Sequence, residues 1–137
     1  MSLFKKKKNS EIKTHWKIKH KTLEFILESA KASYPNEFGG LLRVDTDEKH
    51  TIKEIVILPG TILGDSHAIF NLHMLPIDFS IVGTVHSHPS FSFHPSDADV
   101  LLFRKFGKVH IVVAYPFTDS SWKSYDYNGN KLDIEVI

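Results

Sequence analysis

What most constrains this chain is the order in which two apolar periodicities follow one another. Leu23, Ile26, Leu27 and Ala30 recur at helical spacing, Thr22 stands where it can cap the start, and Pro35 enforces a stop. Gly39-Gly40 reads as a flexible break before the strand-like Leu41-Leu42-Arg43-Val44, and residues 45–49 read as a polar turn. Residues 51–58 are β-branched and apolar, and Pro59-Gly60 ends them. Residues 70–75 are ambiguous. Residues 80–88 read as a buried strand closed by Pro89. A second helix is expected from Ser96, carrying Ala98, Leu101, Leu102 and Phe106, with Gly107 at its end. Residues 109–115 form a strongly apolar strand. Residues 122–127 and 132–136 flank Asn128-Gly129, the signal for a tight hairpin. Helix, strands, helix, strands predicts a mixed α/β fold, a sheet packed by two or three helices.

A length of 137 residues suits one domain that buries roughly two-thirds of its unfolded surface. Residues 1–10, with Lys5 to Lys8, read as a basic flexible tail, and residues 11–137 as one domain without repeats or linkers. The lysine run could also anchor an acidic partner or nucleic acid. The formal net charge of +1 gives no field that argues for nucleic acid or a membrane surface. Asn9, Ser10 and Glu11 follow the lysines where a secretory signal needs an apolar core, so the expected location is cytoplasmic. The chain has no cysteine, which excludes disulfides, thiolate catalysis and cysteine-based zinc sites.

The chemistry concentrates in Val85-His86-Ser87-His88-Pro89, followed by Ser96 and Asp99. Residues two apart on a strand share a face, so His86 and His88 can reach one metal ion while Ser87 points away. Asp99, in the first turn of the next helix, offers a third ligand. Three protein ligands leave a fourth position for water, the mark of a catalytic zinc site. Such a site needs a carboxylate to take the proton of the water, and Glu37, at the head of a strand, is the best candidate. The Ser96 hydroxyl is placed to donate to a developing oxyanion.

Plainer readings compete. Ser96 and Asp99 make an ordinary capped helix start. Glu37 could be a surface residue, and the two histidines could be core residues satisfied by the backbone, although two on one buried face would be costly. His67, His73 and His94 read as surface or supporting residues, Asp97 as a helix-dipole residue and Trp122 as core packing. Two histidines and one carboxylate also suit a non-haem Fe(II) oxygenase, which needs no general base. A zinc deaminase needs a cysteine pair, absent here.

His86-x-His88, seven residues, Ser96, two residues and Asp99 together resemble the motif of the JAMM (MPN+) zinc metalloproteases. Residues 35–42, Pro-Asn-Glu-Phe-Gly-Gly-Leu-Leu, resemble that family's glutamate segment, especially in archaeal members. The resemblance implies one zinc per chain held by His86, His88, Asp99 and a water. Glu37 would act as general base, and Ser96 would steady the tetrahedral intermediate. It implies a curved mixed sheet between helices, like that of cytidine deaminases. It also implies hydrolysis of isopeptide bonds to ubiquitin or a ubiquitin-like modifier, as a monomer or a homodimer. Residues 70–78 are the expected wall for the modifier tail. Family relatives that serve only as scaffolds have lost ligands, whereas every position is filled here.

Overall fold

The computed structural model describes residues 13–58 and 78–137. The basic tail, residues 59–77, His67 and His73 lie outside the described residues, as does all but Asp78 of the expected tail-binding wall. The elements are β1 (Trp16–Ile18), α1 (His20–Ser33), β2 (Gly39–Asp45), β3 (Glu48–Ile57), β4 (Ile81–His88), α2 (Asp97–Lys105), β5 (Val109–Ala114), β6 (Trp122–Tyr125) and β7 (Ile134–Val136). The strands form one seven-stranded sheet in the order β6-β5-β4-β2-β3-β1-β7. Its pairing is mixed: β4 runs parallel to β5, and β1 runs parallel to both β3 and β7. The pairs β2–β3, β2–β4 and β5–β6 are antiparallel. This is the mixed sheet with flanking helices that the residue pattern predicts. No helix among the described residues is long and apolar enough to cross a membrane.

The two faces of the sheet carry different cores. α1 buries Leu23, Ile26, Leu27 and Ala30 along one stripe. They join Val85 of β4 and Val109, Ile111 and Val113 of β5 in the larger cluster. A fully buried Leu, Ile or Val contributes about 1.5–3 kcal/mol. Val112 points the opposite way and packs with Phe103 of α2 and Tyr125 of β6. β5 is buried along its whole length because both faces are covered.

Three expectations change. Thr22 does not cap α1: the cap position is Lys19, whose side chain makes no capping bond. The entry to the helix is held instead by backbone bonds, Lys19 N to Ile52 O and His20 N to Ile137 O. Thr22 is buried in the first turn and donates its hydroxyl to the Lys53 carbonyl of β3. Gly39-Gly40 is no flexible break but the start of β2, paired with His86 and Val85. Its glycine serves close approach, since a Cβ on Gly40 would stand 3.0 Å from the Val56 carbonyl oxygen. The Asn128-Gly129 turn forms, with Asp126 accepting the amides of Asn128 and Asn130. It does not join two long paired strands. Its arms are linked by the bridge of Tyr125 to Lys131 and by the backbone bonds Asp126 N to Asn130 O and Leu132 N to Ser124 O, after which Ile134 pairs with Trp16 of β1. There Leu132 and Ile134 pack against the larger core while Asp133 and Glu135 face water.

Candidate metal centre

The C-terminal end of β4 brings the histidines to the face covered by α2. His86 packs against Phe103 with ring centroids 6.4 Å apart, and the two imidazoles lie 4.9 Å apart. Ser87 points to the other face, where its hydroxyl accepts the Phe38 amide at 2.7 Å. The Ser87 amide in turn donates to the Phe38 carbonyl at 2.9 Å. That exchange stitches the residue between the histidines to the residue after Glu37. Gly39 is paired with His86, so the continued register sets Glu37 opposite His88. Glu37 is half-buried, and its charge acts on the His88 imidazole.

Asp99 arrives from α2. Ser96 is the N-cap, and the two residues form a reciprocal box: Asp99 N donates to Ser96 Oγ at 3.0 Å, and Ser96 N donates to Asp99 Oδ2 at 2.8 Å. The same Oδ2 lies 3.3 Å from His86 Nε2 and 3.4 Å from His88 Nε2. The two Nε2 atoms are 3.1 Å apart. The plain reading of Ser96 and Asp99 as a helix cap holds, and it leaves Asp99 Oδ2 facing both histidines. The box aims the carboxylate oxygen at the histidines.

These three atoms form a nearly equilateral triangle. Ligands of a tetrahedral zinc at about 2.0–2.1 Å stand about 3.3–3.4 Å from one another, so the triangle has the dimensions of one face of that tetrahedron. The protonation pattern agrees. His88 Nδ1 donates to the Ser92 carbonyl at 2.9 Å, which leaves the Nε2 lone pair directed inward in the neutral ring. Lone pairs and a carboxylate converging this closely are a donor set suited to a metal cation. Burial alone pushes the Asp99 carboxyl up; the bonds and charge of His86 and His88, with the Ser96 amide, outweigh it and hold the acid well below the usual carboxylate range. The bond to Asp99 raises the His88 imidazole above its ordinary value, against a partial burial that lowers it. Both effects place opposite charge where the ligands meet. His86, His88 and Asp99 are the one group among the described residues whose donor atoms converge in this way. Side-chain exposures of 13%, 17% and 20% leave an opening on one side.

The other candidates fall outside this cluster. His94 and Asp97 are exposed, and Trp122 packs against the core while donating to the Asp119 carbonyl. Sequence reasoning missed His110, buried in β5 between Thr84 Oγ1 at 2.8 Å and the Gly107 carbonyl at 3.0 Å. Phe103 stacks on it at 4.3 Å, which fixes the helix that carries Asp99. The signal was a polar residue inside the apolar run 109–114. Sequence reasoning also missed the Ser92 carbonyl, which no side-chain pattern could reveal.

Known proteins resemble this chain in sequence and fold. Residues 19–125 match the family of prokaryotic homologs of the JAB domain. A protein of Haloferax volcanii described as a probable metalloprotease is 36% identical over an alignment of 123 positions that covers 84% of this chain and 75% of that protein. The crystal structure of a JAB1/MPN domain protein from Archaeoglobus fulgidus is 40% identical, covers 88% of this chain and 98% of its own, and superimposes with a TM-score of 0.71. A structure reported as "JAMM: A Metalloprotease-like Zinc Site in the Proteasome and Signalosome" is 38% identical, covers 90% and 99%, and gives a TM-score of 0.70. Fold, motif order and a donor set suited to zinc coincide, and the chain belongs to the JAMM/MPN family, in its prokaryotic JAB group, as a metalloprotease-like hydrolase.

Proposed function

We propose that this protein is a zinc-dependent isopeptidase that releases ubiquitin-like modifiers from lysine side chains. The observation that carries this reading is the triangle of His86 Nε2, His88 Nε2 and Asp99 Oδ2, with Glu37 across from His88. Those three side chains would hold one zinc ion, leaving a fourth position for water. Zinc bound there supplies Lewis acidity and lowers the pKa of its water towards about 7. Glu37 takes the proton of the attacking water and returns it to the departing lysine amine. Ser96 uses its oxygen lone pairs in the cap and keeps its hydroxyl proton for the developing oxyanion. No side chain serves as nucleophile, so no covalent intermediate with the protein forms.

The test combines metal content with cleavage. Wild-type protein should carry one zinc per chain by elemental analysis, and His86→Ala, His88→Ala and Asp99→Ala should carry none. The zinc-loaded wild type should release a ubiquitin-like protein from an isopeptide-linked lysine; a chelator should stop the release and added zinc restore it. A zinc-loaded protein that leaves isopeptide bonds intact and hydrolyses ordinary peptides would overturn the substrate class. A protein that takes up no zinc would overturn the whole reading.

A further inference from the structure

The connection from His88 to Ser96 has no helix or strand of its own, yet it must hold two ligands in one geometry. The edge strand β6 reaches across to its middle. Lys123 and Tyr125, two apart and on one face, both touch Phe93. The Lys123 ammonium stands 5.9 Å from the Phe93 ring centroid, and the Tyr125 hydroxyl donates to the Phe93 carbonyl at 2.8 Å. Among the described residues this is the one long-range hydrogen bond to residues 91–95. The preceding carbonyl, that of Ser92, accepts the Nδ1 proton of His88. Two adjacent carbonyls are therefore occupied at once, one by the edge strand and one by a ligand histidine. The Tyr125 ring also stacks on Phe103 at 6.2 Å, and Phe103 meets His86. One side chain thus reaches both histidines through a single intermediary each.

We propose that Tyr125 is a positioning residue for the metal centre. Its hydroxyl fixes the 93–94 peptide at the Phe93 carbonyl and so restrains the adjoining 92–93 peptide, whose Ser92 carbonyl holds His88 in the tautomer and orientation that turn Nε2 towards the metal. The proposal rests on the reading that His86, His88 and Asp99 bind zinc. Freed of the bond, the connection can rotate the Ser92 carbonyl away, and the His88 ring loses its second anchor. Outer partners of ligand histidines commonly change metal affinity by about 10–100-fold.

The experiment is zinc titration against a competing chelator, using wild type, Tyr125→Phe and, as a control, Tyr127→Phe on the exposed turn. The thermal unfolding of each metal-free protein is measured beside it. Tyr125→Phe should bind zinc at least about tenfold more weakly while its metal-free unfolding temperature stays that of the wild type. Tyr127→Phe should match the wild type in both. Wild-type zinc affinity in Tyr125→Phe overturns the positioning role and leaves the zinc reading standing. A wild type that binds no zinc overturns both. Should metal-free Tyr125→Phe be less stable, its zinc affinity is compared with that of Ile26→Val in α1, a core substitution that leaves the 92–93 region untouched. Zinc binding at least about tenfold weaker than in that control upholds the positioning role, and equal affinity overturns it.

Discussion

At the scale of single residues, the division of labour among carboxylates follows from position. Asp99 is held ionised by two imidazoles and an amide, which suits it to bind a cation and makes it a poor proton carrier. Glu37 stands outside the trio of His86, His88 and Asp99, just ahead of a different strand and opposite His88 in the continued register. Glu37→Gln should therefore retain one zinc per chain and lose about a hundredfold or more in turnover, the usual scale for a general base. Asp99→Asn should lose the metal itself, because the amide offers no negative charge to the cation. Elemental analysis beside a cleavage assay separates the two, and a Glu37→Gln variant at wild-type rate removes Glu37 from the mechanism. The ligand set was legible in the sequence because strand alternation and a short helix approach depend only on local spacing. The carbonyl of Ser92 was not, because its role comes from a backbone conformation that any residue type could adopt.

At the scale of elements, the start of α2 does two things with one pair of residues. Ser96 ends the connection as an N-cap, and the cap orients Asp99. Ser96→Ala should cost about 1 kcal/mol of stability from the lost cap, and should also slow cleavage. Ser96→Asp restores an acceptor for the Asp99 amide without a hydroxyl proton, so it should recover stability without rate. Denaturant unfolding read beside turnover checks both; full recovery of rate in Ser96→Asp would reduce Ser96 to a cap. The helices and the inner strands could be read in advance because each carries its own periodicity. The edges could not. β1 is three residues long, too short for alternation to register. The chain leaves its apparent hairpin partner after Leu132, which still bonds Ser124, and Ile134 pairs with Trp16 of β1 and packs on the main core, a contact between chain ends that no local pattern contains.

At the scale of the whole molecule, the sheet supports its chemistry from a buried histidine that never meets the metal. His110 is fully buried, with Nε2–H donating to the Gly107 carbonyl and Nδ1 accepting from the Thr84 hydroxyl. Gly107 itself adopts a positive φ of 114°, and a Cβ there would strike the Val82 carbonyl oxygen at 2.2 Å. Burial pushes the His110 imidazole down to about 4, from an ordinary value of 6.5, so the folded protein keeps it neutral where the unfolded chain binds a proton. Stability linked to His110 is therefore fully present above about pH 6.5, falls as the pH drops from there to about 4, and is flat below. Between pH 7 and pH 5 the linkage amounts to about 2 kcal/mol. The ligand cluster titrates too, so the comparison uses metal-free wild type and metal-free His110→Gln, in which the cluster is common. Urea unfolding at the two pH values should show the wild type losing about 2 kcal/mol more than the variant, although the variant starts lower at pH 7. Equal losses would mean that His110 takes up its proton in the folded state as easily as in the unfolded one. The Phe103 stack would then rest on an imidazolium, and the support beneath Asp99 would be electrostatic rather than apolar.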